Sequence, residues 1–243
     1  MNIIKLDSTP STNTWLKENA TDIESPVFVY CRLQSAGRGQ RGNSWESEEG
    51  KNITGSVLFH PHSFKAANQF LISEAVALAI IEFLRQFDIQ AAVKWPNDIY
   101  VGNKKICGIL VENVVIGNEI TRTIMGFGIN INQEKFLSDA PNPVSVKLIN
   151  KNEYDYDIDG LVLELSVILE KYLDQLTDSG SLHNRFMENL WRNDRLFYPY
   201  FDKIKNEKLM AVIDNVAPDG LLTLRLDSGE SRSYMFKEVE FLI

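Results

Sequence analysis

The residues best suited to chemistry are charged and amide side chains in two short stretches. Residues 34–45 read QSAGRGQRGNSW, in which three glycines alternate with polar residues that include Arg38 and Arg41. Glycine lets a backbone approach a ligand closely, neighbouring backbone N–H groups can hold an anion, and arginine adds forked donors for phosphate or carboxylate. Residues 91–117 add Lys94, Asp98 and Lys105. This set favours catalysis by positioning and by stabilisation of negative charge.

One reaction that fits these residues joins a carboxylate to a triphosphate. It brings two anions together, and lysine, arginine and Mg²⁺ are needed to neutralise them. Asp98 is suited either to help hold Mg²⁺ or to accept a proton from an attacking amine. Each residue alone has a simpler explanation, because lysines in hairpins are usually solvated and an Asp after a proline usually forms a turn. The hypothesis therefore rests on their occurrence together.

The glycine-rich loop departs from the common phosphate-binding signatures. Residues 37–42 follow the pattern G-x-G-x-x-G, but a dinucleotide fingerprint needs a helix directly after the loop, and a strand pattern follows here. The companion motifs of protein kinases, the Walker loop and the G-x-S-x-G elbow are all absent from the sequence. The three histidines form no metal-binding motif. We therefore expect an anion-binding loop of another kind and no resident metal; a solvated hairpin loop is the alternative.

Composition sets broad limits on location and partners. The chain has 243 residues and a formal net charge of −8, which argues against general affinity for nucleic acid. Cys31 and Cys107 lie in apolar runs and form no C-x-x-C motif, so we expect reduced thiols and a cytoplasmic protein. No signal peptide and no uncharged apolar run of 18 residues is visible, so we expect no membrane association.

Hydrophobic periodicity predicts the elements that carry these residues. We expect a helix near residue 12 capped by Ser11 or Thr12, strands on both sides of the glycine-rich loop, and a long helix over 68–87. A strand should end at Pro96, and a tight hairpin turn should follow at residues 102–103. Further predictions are a strand over 120–132, a loop at Pro141 and Pro143, helices over 161–176 and 182–193, and strands over 208–216, 221–226 and 233–242.

Four stretches together resemble the biotin–protein ligases. They are QSAGRGQRGNSW (34–45), KWPND (94–98), KICGILVE (105–112) and GFGININ (126–132), and their order and spacing match as well as their identity. SerThrAsn at residues 11–13 is similar to the family's N-terminal biotin-site motif. The resemblance is strong over residues 1–132, weaker over 133–193, and one of pattern only beyond that.

The resemblance implies an α+β fold in two domains. Residues 1–194 would form a catalytic domain with a mixed sheet and flanking helices, related to class II tRNA synthetases, and residues 195–243 a small SH3-like β-barrel. It also implies two steps. The carboxylate of biotin attacks the α-phosphate of ATP, with Mg²⁺, to give biotinyl-AMP and pyrophosphate. A lysine of a biotin carboxyl carrier protein then takes the biotin and releases AMP.

The family's site residues are carried over position by position. The resemblance implies a biotin site of Ser11, Thr12, Asn13, Gln34, Gly37, Arg38, Gly39, Gln40, Lys105 and Gly108. It implies a nucleotide site of Arg38, Arg41, Trp45, Asn97, Lys105, Gly126 and Asn130. Lys105, Lys94, Asp98, Arg38 and Arg41 would be the catalytic residues, with Asp98 as a base or polar anchor for the acceptor amine.

The sequence departs from the family at two places. Many members have an arginine that helps to retain the adenylate where this chain has Gln40, so either Arg41 or Arg38 takes that role or the intermediate leaks more readily. The SerThrAsn motif begins at residue 11, so we also expect no helix-turn-helix repressor domain and no binding of operator DNA.

The remaining alternatives are a lipoate- or octanoate-transferring enzyme on a similar fold, and a non-catalytic biotin sensor. The oligomeric state, monomer or homodimer, stays open.

Overall fold

The structure is a computed structural model that describes residues 1–19, 23, 25–137 and 142–243, and only the backbone of Arg41. The predicted loop at Pro141 therefore lies outside the described residues. Pro143 lies in an irregular segment, where it pairs with Lys105 through an isolated bridge.

A mixed sheet forms the larger part of the described chain. Its strands are β1 (Asn2–Thr9), β2 (Val27–Gln34), β3 (Ile53–Phe59), β4 (Phe64–Lys65), β5 (Ala92–Lys94), β6 (Asp98–Val101), β7 (Lys104–Ile116) and β8 (Glu119–Ile129). The order across the sheet is β1-β2-β3-β8-β7-β6-β5, and β4 also pairs with β8. β1 and β2 run parallel, and the other neighbouring pairs are antiparallel. The predicted α+β fold is confirmed.

The helices pack around this sheet. They are α1 (Thr12–Asn19), α2 (Phe70–Arg85), α3 (Val146–Asn150), α4 (Ile158–Asp174) and α5 (Ser179–Glu188). α2 is apolar on nearly all sides because it is enclosed by α4, α5 and the sheet. By length and composition alone Ala66–Arg85 would suffice to cross a membrane, but 72% of its apolar window is buried inside the protein, as befits a core helix.

The end of α5 differs from the sequence prediction. The helix stops at Glu188 instead of residue 193; Leu190 forms an isolated bridge with Val93, and Trp191 follows in a turn. The N–H of Val93 donates to the carbonyl of Asn189 at 2.8 Å, and the N–H of Trp191 donates to the carbonyl of Val93 at 2.8 Å. Pairing with the edge strand β5 satisfies these backbone groups and so overrides the helical periodicity. The short α3 was not predicted.

A second, antiparallel sheet forms the C-terminal part and fits the expected SH3-like unit. Its strands are β9 (Tyr198–Asp202), β10 (Glu207–Val216), β11 (Leu222–Leu226), β12 (Ser231–Tyr234) and β13 (Val239–Phe241), in the order β12-β11-β10-β9-β13. β9 was not predicted, and the single strand expected over 233–242 is interrupted by a turn in which Lys237 has φ +72°. The boundary placed near residue 195 lies between α5 and β9, and the division into two domains remains a prediction.

The second sheet supports the turn that follows β5. The indole N–H of Trp95 donates to the carbonyl of Gly220 at 3.0 Å, and its ring packs against Phe236 and Phe241 with centroids 5.4 and 6.4 Å away. These contacts with the C-terminal part hold the Trp95–Pro96 turn in place, and the residues that follow it are positioned by this turn.

Candidate functional site

A cleft of about 840 Å³ lies where the glycine-rich loop, the middle of the first sheet and the second sheet meet. Its size falls within the range of roughly 300–1,000 Å³ typical of ligand sites. The cleft is lined by the predicted site residues, with two exceptions. Gly37 lies behind the wall, and the side chain of Arg41 is outside the description. The predicted amide side chains and the predicted cations therefore line the same cavity.

The glycine-rich loop folds as a small hairpin along one side of the cleft. The N–H of Gly39 donates to the carbonyl of Asn43 at 2.7 Å, and the N–H of Trp45 donates to the carbonyl of Gly37 at 2.9 Å. A short 3-10 turn, Gln40–Gly42, forms the tip. No α-helix follows the loop before β3, which agrees with the sequence argument against a dinucleotide fold. The loop places the Arg38 side chain in the cleft wall.

The floor of the cleft is a chain of hydrogen-bonded polar side chains at the start of α1. The N–H of Thr12 donates to Gln34 Oε1 at 3.0 Å, the hydroxyls of Thr12 and Ser56 lie 2.6 Å apart, and Ser56 Oγ donates to Asn13 Oδ1 at 2.5 Å. Thr12, Asn13 and Ser56 are all buried. Ser11 mainly serves the helix, where its Oγ accepts from the N–H of Thr14 at 3.5 Å. A floor of amides and hydroxyls suits an uncharged polar ligand group.

Ser56 was missed by the sequence analysis. It lies on β3, in the run ITGSVLF, whose residues are buried except the last. A serine inside a buried strand needs a hydrogen-bond partner, and that requirement is the signal that would have found it. Glu112 was also missed. It belongs to a quoted motif, and its Oε2 accepts from Asn13 Nδ2 at 2.8 Å.

Two glycines of β8 make room for the cleft. A methyl group on Gly126 would collide with Asn13 Oδ1, and one on Gly128 would collide with the Trp45 indole. The same indole lies on Gly108, which pairs with Gly128 across β7 and β8. The GFGIN pattern therefore provides a flat surface against which Asn13 and Trp45 rest, as expected for close approach in a strand.

Trp45 and Asn130 each bring an unused polar atom to the cleft. Both residues line it, and both Trp45 Nε1 and Asn130 Oδ1 are buried with no hydrogen-bond partner among the described residues. The Asn130 amide instead donates to the carbonyl of Val144 at 3.1 Å. A buried polar group without a partner costs roughly 1–3 kcal/mol. A ligand that offers one acceptor and one donor would remove both costs.

Asn97 has a supporting role in the structure. Its Nδ2 donates to the carbonyl of Ile109 at 2.7 Å, and the N–H of Ile109 donates back to the Asn97 carbonyl at 2.9 Å. These two bonds fasten the turn after Pro96 to β7. Asn97 lines the cleft, but its amide nitrogen is already engaged, so its part in nucleotide binding stays a prediction.

An ion pair and a third charge form the opposite end of the site. Lys105 Nζ lies 2.7 Å from Asp98 Oδ1, and each side chain is 20% exposed. The ammonium of Lys105 also lies 5.5 Å from the centre of the Trp45 ring. In the hairpin of β6 and β7, Lys105 lies opposite Tyr100, and Asp98 is two residues before Tyr100 on β6, so the ion pair joins the two strands diagonally.

Lys94 differs from Lys105 in having no carboxylate within ion-pair distance in the part of the chain that is described. Its Nζ lies 4.9 Å from the centre of the Tyr100 ring and 5.5 Å from that of Phe241. Burial lowers the pKa of Lys94, the nearby Asp98 carboxylate opposes this shift, and Lys105 adds to it. Lys94 is therefore a cation that lacks a counter-ion and faces the cleft. Such a group attracts an anion.

The second sheet contributes side chains that sequence reasoning did not foresee. Lys203, Phe236, Lys237, Val239, Glu240 and Phe241 line the cleft. No motif in their stretch of sequence points to a site, and the packing of Trp95, Phe70 and Trp191 on Phe236 and Phe241 brings them there.

The carboxylates of the cleft fit Mg²⁺ that arrives on phosphates better than a resident metal. Asp98 is paired with Lys105, Glu240 with Lys203, and Glu46 accepts from the N–H of Leu137. Within the described ranges no group of three or more His, Cys, Asp or Glu residues could hold a metal ion. Mg²⁺ bound mainly by a triphosphate needs one or two protein carboxylates, and Asp98, Glu46 and Glu240 line the cleft.

Comparison with known proteins agrees with this fold and site. The model of the biotin/lipoate A/B protein ligase family matches residues 5–130, just over half of the chain. The chain belongs to this family, which confirms the resemblance drawn from its motifs. It is 28% identical over 176 residues to the bifunctional ligase/repressor BirA of Salmonella typhimurium, covering 72% of this chain and 52% of that protein. The chain spans about half the length of the first curated relatives it matches.

Two further proteins match nearly the whole chain. One is the biotin–[acetyl-CoA-carboxylase] ligase of Paracoccus denitrificans, 28% identical over 239 residues that cover 92% of this chain and 94% of that protein. The other is a solved structure, the biotin protein ligase of Aquifex aeolicus in complex with biotin and ATP. Its TM-score is 0.80 at 21% identity, with 99% of this chain and 98% of that chain covered. At that identity the likeness shows that the fold is shared.

Proposed function

We propose that the protein is an ATP-dependent biotin–protein ligase that activates biotin as biotinyl-5′-AMP and transfers it to a lysine of a biotin carboxyl carrier protein. The observation that carries the proposal is the division of one cleft into a neutral polar floor and a cationic end. The floor offers amides and hydroxyls to an uncharged ring, and the cations face the place where a carboxylate and phosphates would meet. Family membership and the near full-length Paracoccus relative support the same assignment.

In the first step a biotin carboxylate oxygen attacks the α-phosphorus of ATP. A new P–O bond forms, the bond from the α-phosphorus to the bridging oxygen breaks, and pyrophosphate leaves with that electron pair. Lys105 neutralises the carboxylate and α-phosphate as they approach, and Lys94, which forms no ion pair among the described residues, adds positive charge beside them. Arg38 covers the intermediate from the loop. Mg²⁺ supplies further charge neutralisation on the phosphates.

In the second step the amine of the acceptor lysine attacks the carbonyl carbon of the mixed anhydride. An amide bond forms, the bond from the carbonyl carbon to the phosphate oxygen breaks, and AMP leaves. The attacking amine must lose a proton, and Asp98, a carboxylate that lines the cleft, would receive it. Its partner Lys105 would by then be drawn to the phosphate.

The acceptor and the location follow from the same proposal. The name of the Paracoccus relative points to a carboxylase, so the acceptor would be the carrier domain of a biotin-dependent carboxylase. The two free, buried cysteines fit a reducing compartment, and we expect the protein to act in the cytoplasm.

The complete reaction tests the proposal. Purified protein is incubated with MgATP, biotin and an apo carrier domain, and the carrier is analysed by intact mass and peptide mapping. We expect one biotin on one lysine, with one AMP and one pyrophosphate released for each biotin. A carrier with that lysine replaced by arginine is the matched control. An unmodified carrier, together with measurable biotin binding, would favour the sensor instead.

A further inference from the structure

Glu112 lies behind the cleft and joins its floor to the glycine-rich loop. Its Oε2 accepts from Asn13 Nδ2 at 2.8 Å, and its Oε1 accepts from Arg38 Nη2 at 3.1 Å and from Lys17 Nζ at 2.6 Å. The side chain is 21% exposed. Burial alone would raise the pKa of Glu112, but the bonds from Lys17 and Asn13 and the charges of Lys17 and Arg38 outweigh it, and the pKa lies below its ordinary value.

We propose that Glu112 is a positioning residue that sets the hydrogen-bond pattern of the biotin floor and at the same time anchors Arg38 of the loop. The proposal rests on the proposed function. It concerns a residue that reaches substrate only through Asn13 and Arg38, and it explains why one carboxylate stands between the two halves of the site.

Each hydrogen bond of the floor has a fixed donor and acceptor, because a carboxylate only accepts hydrogen bonds. Glu112, at 2.8 Å, and the weaker contact with the Leu110 carbonyl, at 3.4 Å, both accept from Asn13 Nδ2 and so fix the Asn13 amide with its Oδ1 toward Ser56. Ser56 uses its single hydroxyl hydrogen on Asn13 Oδ1.

The same assignment of donors and acceptors extends to Thr12 and Gln34, which line the cleft. With the Ser56 hydrogen already used, the 2.6 Å contact between Ser56 and Thr12 takes the hydrogen of the Thr12 hydroxyl in preference to the longer contact, 3.3 Å, with Gln34 Oε1. Thr12 Oγ1 then offers lone pairs to the cleft. Gln34, whose Oε1 is held by the Thr12 backbone N–H, offers its NH₂. One acceptor beside one donor complements the N–H and C=O of a cyclic urea, the polar ring of biotin.

The contact with Arg38 gives Glu112 its second role. Arg38 is 45% exposed, and on a loop of this kind its side chain would otherwise move freely in solvent. Glu112 holds it against the cleft wall. Lys17, which lies on α1, binds the same Oε1 of Glu112 as Arg38 does. It does not line the cleft, and it balances the negative charge of Glu112.

Glu112→Gln tests both roles, because glutamine has one accepting and one donating end. If its oxygen faces Asn13, its NH₂ faces the two cations and Arg38 is released. If its NH₂ faces Asn13, either two NH₂ groups oppose each other or the Asn13 amide turns over, loses the Leu110 carbonyl and reverses the donors and acceptors of the floor. One end of the site fails in either orientation. Lys17→Met is the matched control, since it removes the other cation of Glu112 and leaves the contacts with Asn13 and Arg38 in place.

The assays separate the two ends. Biotin-dependent exchange of pyrophosphate into ATP gives KM for biotin and for MgATP, and release of labelled biotinyl-AMP from a filtered complex gives its lifetime. For Glu112→Gln we expect about a tenfold or larger rise in KM for biotin, or about a tenfold or larger fall in adenylate lifetime, with KM for MgATP within twofold of wild type. Lys17→Met should change none of these more than twofold.

The failure of this proposal differs from failure of the proposed function. The role of Glu112 would be overturned if Glu112→Gln is folded, as shown by its melting curve, and both its KM for biotin and its adenylate lifetime are unchanged. Equal loss in KM for biotin and for MgATP would also overturn it, since a general structural defect has that signature. A wild-type protein that forms no adenylate would instead refute the proposed function itself.

Discussion

Replacement of Lys105 by methionine tests the cationic end of the site most sharply. Methionine keeps most of the length and the apolar stem but removes the ammonium that lies 2.7 Å from Asp98 Oδ1. A hydrogen bond to a charged group contributes about 1.5–3 kcal/mol. If Lys105 makes one such contact with the carboxylate or α-phosphate in the transition state, its loss should slow adenylation by about one to two decades.

The hairpin itself supplies the control. Lys104 is the adjacent residue of β7 but points to solvent, so Lys104→Met removes the same charge from the same turn outside the cleft. The assay is biotin-dependent exchange of pyrophosphate into ATP at saturating biotin and MgATP, with a melting curve for each variant. Exchange by Lys105→Met within twofold of wild type, or an equal loss in Lys104→Met, would refute the assigned role of Lys105.

Three further predictions follow from individual residues. Gly128→Ala should displace the Trp45 indole, raise KM for MgATP about tenfold and alter tryptophan fluorescence. Gly180→Ala, in open space on α5, should change neither, and unchanged fluorescence in Gly128→Ala would contradict the packing. Gln40→Arg should lengthen the lifetime of bound biotinyl-AMP, and an equal or shorter lifetime would mean that another side chain already retains it. Burial raises the pKa of Glu74, so its ionised form destabilises the fold at high pH. Glu74→Gln should therefore raise the melting temperature at about pH 8, by roughly 2–4 °C for each kcal/mol of stability gained. Near pH 4, where Glu74 is protonated, this gain should vanish. A gain of equal size at both pH values would exclude this cause.

The sequence predicted most of the elements that carry the site, because their signals are local. Pro96 and the Gly102–Asn103 turn determine the hairpin that pairs Lys105 with Asp98. Apolar periodicity located α2, and the flanking β-rich runs located β2 and β3.

The missed features depend on long-range contacts instead. Trp191 leaves the helical pattern because the β5 backbone, nearly a hundred residues earlier in the chain, needs hydrogen-bond partners. Ser56 and Glu112 join the site only through partners in α1 and the loop, and the C-terminal residues reach it through Trp95. Most of the residues carried over from the family line the cleft, and their roles in substrate binding stay predictions.

The decisive measurement is exchange of labelled pyrophosphate into ATP, with biotin, lipoate or octanoate offered as the sole carboxylate. It tests whether this cleft activates biotin as an adenylate. It reports carboxylate activation without any acceptor protein, so it isolates the chemistry assigned to Lys105, Lys94 and Arg38. We expect exchange with biotin and none above background with the other two. Exchange with lipoate or octanoate would overturn the substrate, and no exchange with any of them would contradict the assignment of this cleft to adenylation.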